Sequence, residues 1–111
     1  MFFVVRGEVV VKDKLGLHAR PAGLFSKSAS NFKSSVYISK NDKKCNAKSI
    51  LGVLSLCVKC GDQITIECDG DDESAALESL VNLLEKWLNI KISSYKKILS
   101  SVVGKISVVR L

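Results

Sequence analysis

The chain predicts an α+β fold: a four-stranded antiparallel sheet with three helices on one face, order βαββαβα, plus a C-terminal helix/strand extension. Three observations predict it. Apolar spacing switches along the chain between a period near two and one of three to four residues, in the order strand, helix, strand, strand, helix, strand, helix. Turn signals at Asn41-Asp42 and Asp69-Gly70-Asp71-Asp72 divide those segments. Finally, 111 residues, 47% of them apolar, make one small domain with a single core.

Each element follows from its residues. Val4–Lys12 is rich in Val and reads as a strand. Its middle, Glu8–Lys12, runs apolar without alternating, so either face could be the buried one. Asp13–Leu17 is a turn, and Gly16 suits it because Gly adopts backbone angles that other residues avoid. After His18, the apolar residues Ala22, Phe25, Ala29 and Phe32 recur at helical spacing, giving a helix to about Asn31. Ser34–Lys40 alternates, with Val36 and Ile38 on one side, and Lys43–Asn46 is the short return strand. Ser49 precedes Ile50, Leu51, Val53 and Leu54 and suits a helix N-cap, its side-chain oxygen meeting free amides. Gln63–Cys68 alternates about Ile64 and Ile66. Glu73–Leu88 is a helix carrying Ala76, Leu77, Leu80, Leu83, Leu84 and Trp87, the Trp reading as core or edge packing.

The tail beyond residue 88 has its own pattern. Tyr95, Ile98, Leu99 and Val102 fall on one helical stripe that Gly104 would end. Lys105–Leu111 reads as a strand, expected to pair with a sheet edge or with Met1–Val5. The expected organisation is a domain over residues 1–88 and a basic, apolar extension over 89–111 packed on it.

Charge separates the same two parts. The net charge is +6, yet residues 1–88 hold 12 Lys/Arg against 11 Asp/Glu, while residues 89–111 hold five cations and no acid. Basicity therefore belongs to the tail, with no aromatic stacking pattern beside it, and nucleic-acid binding is not expected. A membrane-surface contact through the tail is the related alternative. No apolar run approaches the roughly 20 residues that span a bilayer, and the expected location is cytoplasmic. Cys57-Val-Lys-Cys60 has the spacing of half a zinc site or of a redox pair. The other half of a four-ligand site is missing, so reduced, partly buried thiols are expected, with no metal.

His18 is the chain's one His and Pro21 its one Pro, and both fall where strand pattern gives way to helix. His18 is expected near the N-cap, with Ala19, Arg20 and Pro21 in the first turn. The first amides of a helix lack intrahelical acceptors, and the helix dipole adds partial positive charge there. Such an end binds phosphate. An imidazole is also a competent nucleophile near neutral pH. A phosphoryl group on His18 would meet those amides, and Arg20 would add a charge-assisted hydrogen bond. Pro21, lacking an N–H, costs little in a first turn.

The segment Gly16–Ala22, GLHARPA, resembles the active-site signature of HPr, the histidine phosphocarrier family of the bacterial phosphoenolpyruvate:sugar phosphotransferase system. Lys48–Leu56 (KSILGVLSL) resembles that family's regulatory-serine segment, and Gly61–Gly70 (GDQITIECDG) its late strand and turn. The likeness covers roughly residues 7 to 88. It implies an open-faced β-sandwich. It further implies that His18 carries a phosphoryl group taken from Enzyme I and passed to IIA components, and that Arg20 steadies the phosphate. No cofactor is implied, and the chain is a relay intermediate more than an enzyme with its own turnover. Ser49 becomes a regulatory phosphorylation site, with an HPr kinase/phosphorylase as its partner. Ala19, Pro21, Ile50, Leu51 and Leu54 become a docking surface, although some could instead fill the core. The alternative is a regulatory binding module of the same fold, controlled by the state of Ser49 or His18. One departure stands out: Leu15 occupies a place where the family often has a small polar residue.

Overall fold

A computed structural model describes residues 2–100 and 108–110, with side chains from Val4 to Ser93. The elements run β1 (Phe2–Val11), α1 (Ala19–Ser30), β2 (Ser35–Lys40), β3 (Lys43–Asn46), α2 (Ile50–Ser55), β4 (Gln63–Asp69), α3 (Glu73–Trp87), β5 (Ile90–Ser100) and β6 (Val108–Arg110). All the described strands join one antiparallel sheet in the order β3-β2-β4-β1-β5-β6. The order β3-β2-β4-β1 is the expected four-stranded sheet, and the three helices follow the expected positions.

The ambiguity in β1 resolves to one face. Val5, Val9 and Val11 are fully buried, while Val10 is half-exposed. They meet Val36 and Ile38 of β2, Ile64 and Ile66 of β4, and the inner faces of α1 (Ala22, Phe25, Ala29) and α3 (Leu77, Leu80, Leu84) in one cluster. Each large side chain so buried contributes roughly 1.5–3 kcal/mol. On the opposite face Glu67 joins Arg6 (2.9 Å) and Lys44 (3.2 Å), and the Lys44 ammonium stands 4.7 Å from the centre of the Tyr37 ring. Burial opposes the charge on Glu67, but the Arg6 hydrogen bond and charge, followed by those of Lys44, outweigh it and hold the carboxyl below its ordinary range.

The tail corrects one expectation. Residues 90–100 form a strand, not the helix read from Tyr95, Ile98 and Leu99, and the strand pairs with β1 from Val11↔Ile90 to Phe2↔Ser100. The cause is tertiary. The outer edge of β1 would otherwise leave a long row of backbone donors and acceptors unpaired. Closing that row outweighs a weak local stripe. Of the two pairings expected for the last segment, Val108–Arg110 takes the sheet edge, on the outside of β5, while β5 itself lies along the N-terminal strand. Val102, Gly104, Lys105–Ser107 and Leu111 lie outside the described residues.

Candidate functional site

The site begins where β1 ends. The Val11 amide donates to the Asp62 carbonyl (2.9 Å), and the Gly61 amide donates to the Val11 carbonyl (2.6 Å), so the loop before β4 is sewn to the strand. The chain then turns on Asp13, whose carbonyl takes the Gly16 amide (3.0 Å) and whose carboxylate takes the Leu15 amide (3.0 Å). Gly16 has φ +67, and a Cβ there would stand 2.2 Å from the Val58 carbonyl oxygen. That oxygen also accepts the Leu17 amide (3.0 Å), while the Leu17 side chain is buried. The two residues before His18 are therefore fixed against Val58.

His18 is the N-cap of α1, as expected, with extended backbone (φ −87, ψ −178). Its carbonyl accepts the Ala22 amide (2.9 Å), the first turn of the helix. Its ring makes no capping hydrogen bond, and the residue is half-buried. The N–H groups of Ala19 and Arg20 open the helix without intrahelical acceptors, and Pro21 has none to offer. A half-buried imidazole thus stands beside two N–H groups that have no partner among the described residues, at the positive end of a helix dipole.

Arg20 is exposed, and its guanidinium carbon lies 5.4 Å from the centre of the Trp87 ring. Trp87 is the last residue of α3 and is 39% exposed, the edge placement of the two expected rather than the core one. The spacing of α3 places Trp87 on its apolar stripe, but no sequence signal ties it to Arg20. Ala19 is exposed, whereas Pro21 is buried and offers a partner little surface. Leu15, in the turn before His18, is 73% exposed.

Ser49 is the N-cap of α2, its hydroxyl accepting the Gly52 amide (3.1 Å). Its neighbour Lys48 reaches the Phe32 carbonyl just beyond the far end of α1 (2.9 Å). That helix has twelve residues and so spans about 18 Å. Ile50 and Leu51 are exposed, while Leu54 is half-buried against the core. Of the cysteines, all free, Cys57 and Cys60 are exposed rather than partly buried, and Cys45 is intermediate. Cys68 is buried, and burial first, then the charges of Glu73, Asp72 and Glu67, push its thiol up to about 12.

A family model described as the "PTS HPr component phosphorylation site" matches residues 5–86. The chain belongs to the HPr family. Among curated relatives it is 47% identical over 83 residues to the HPr-like protein Crh of Halalkalibacterium halodurans, covering 75% of this chain and 99% of the relative. It is 44% identical over 71 residues to the phosphocarrier protein HPr of Mycoplasma capricolum, covering 64% and 80%. Among solved structures, a mycoplasma histidine-containing phosphocarrier protein superposes with a TM-score of 0.73 at 38% identity, covering 74% of this chain and 93% of that one. HPr of Thermoanaerobacter tengcongensis gives 0.70 at 46%, covering 73% and 91%. The family match ends at residue 86, within α3, and β5 and β6 lie beyond it. Family membership supports a general role in the phosphotransferase system. No helix among the described residues is long and apolar enough to cross a membrane.

Proposed function

We propose that the chain is a phosphocarrier in which His18 accepts a phosphoryl group from Enzyme I and passes it to IIA components in the cytoplasm. The observation that carries this is the position of His18: an N-cap whose ring is not spent on capping, beside the open amides of Ala19 and Arg20. An imidazole nitrogen attacks phosphorus, and the bond to the donor breaks with its electron pair leaving on the donor. The two amides and Arg20 meet the phosphoryl oxygens, each contributing on the order of 1 kcal/mol. A carrier needs a hold of this modest size, because it must release the group as readily as it takes it. Ala19, Ile50 and Leu51, with a smaller share from Leu54 and Pro21, offer the docking surface.

A second reading is favoured by the likeness to Crh, which in Bacillus subtilis is known as the catabolite repression HPr. In it the fold serves regulation, and an HPr kinase/phosphorylase modifies Ser49. The hydroxyl already lies at a helix start, so phosphate there gains from the dipole and places negative charge beside the exposed Ile50 and Leu51. Incubation with phosphoenolpyruvate and Enzyme I tests the first reading. An acid-labile phosphate that disappears in His18→Ala is the expected result. Absence of label on folded wild-type protein overturns the carrier role and leaves the regulatory one.

A further inference from the structure

An aromatic ring is what holds the Arg20 side chain among the described residues. Among the described residues its guanidinium makes no hydrogen bond and no ion pair, and it lies 5.4 Å from the centre of the Trp87 ring. A guanidinium is planar, with its N–H donors around its edge. A ring against its face therefore holds the group while leaving that edge free. A carboxylate partner would do the reverse, consuming the donors and cancelling the charge. Trp87 can serve as such a platform because both of its flanks are fixed. It ends α3, and the next residue, Leu88, is buried, with its amide bonded to the Leu84 carbonyl (2.7 Å). Asn89 then accepts the Lys12 amide, and β5 begins at Ile90 against Val11. The same strand end leads through Asp13–Leu17 to His18, so the ring and the imidazole hang from one piece of sheet.

We propose that Trp87 is a positioning residue, holding Arg20 by its face so that the guanidinium edge is available to a phosphoryl group on His18. This rests on the carrier reading. At an exposed site the contact is of a size that changes a rate about two- to fivefold. The test compares wild type, Trp87→Phe, Trp87→Leu, Arg20→Ala and the double variant Trp87→Leu/Arg20→Ala, with two donors. One is Enzyme I with phosphoenolpyruvate. The other is phosphoramidate, a small donor whose P–N bond breaks as the bond to His18 forms, ammonia leaving with the proton.

Trp87→Leu should slow labelling of His18 about two- to fivefold with both donors, and Trp87→Phe should restore it. In the Arg20→Ala background Trp87→Leu should have no further effect, which a merely structural loss would not reproduce. Labelling of Trp87→Leu at the wild-type rate overturns the inference. Slowing with Enzyme I alone also overturns it, because the ring would then be a contact for that partner. A persistent effect in the Arg20→Ala background overturns it as well. No label on folded wild type from either donor removes the carrier reading together with this one, and so is distinct from the other failures.

Discussion

Gly16 shows how one residue sets the geometry of the site. Its φ of +67 lies where a side chain is strained, and the Val58 carbonyl occupies the space a Cβ would need. Gly16→Ala should cost about 1–3 kcal/mol through backbone strain alone, and more through displacement of Val58. Thermal unfolding should show a lowered midpoint, and labelling of His18 should fall, because Leu17 and the helix start shift with the turn. The neighbouring residues were unequally legible. His18 as N-cap followed from a turn Gly, a lone His and a helical stripe, all local. The Val58 carbonyl was invisible because its role is a backbone contact across more than 40 positions. Trp87 reads as core or edge packing because a cation–π contact with a distant Arg20 leaves no periodicity.

At the scale of the element, Asp72 joins the start of α3 to the loop between α1 and β2. Its carboxylate accepts the amides of Lys33 and Ser34 (each 2.9 Å) and the Ser34 hydroxyl. The joint is tight, for a Cβ on Gly70 would stand 2.6 Å from the Ser34 Cα. The Ser34 hydrogen bond first, then the Lys33 amide, hold the Asp72 carboxyl down to about 2. A depressed carboxylate stabilises the fold above its unfolded value near 3.9 and loses that contribution as pH falls through its folded value. Wild type should therefore lose stability between about pH 4 and pH 2. Asp72→Asn should be less stable at pH 7 and show a shallower loss over that window, measured by urea unfolding at each pH. Sequence reading placed an acid at this helix start for the dipole. It could not show that the carboxylate faces a different loop.

For the whole molecule, we propose that residues 1–88 and 89–111 form one cooperative domain. The support is a β1 strand paired along its inner edge with β4 and along its outer edge with β5. Deleting residues 89–111 would bare the outer edge of a strand holding Val5, Val9 and Val11. It should lower the melting midpoint and raise association in light scattering. Unchanged values in both would show the extension to be dispensable. The β3-β2-β4-β1 sheet was legible because its strands alternate or are fenced by turns. The β5 strand was not, because an edge awaiting a partner is a property of the assembled sheet rather than of the segment that fills it. The route from Trp87 through Leu88 into β5 also bears on how the protein comes apart. A helix that ends in solvent can fray from its last turn inward, but this one continues into a zipped ladder. Melting has no loose end there from which to start, so the backbone that carries the indole keeps its place until the ladder itself opens.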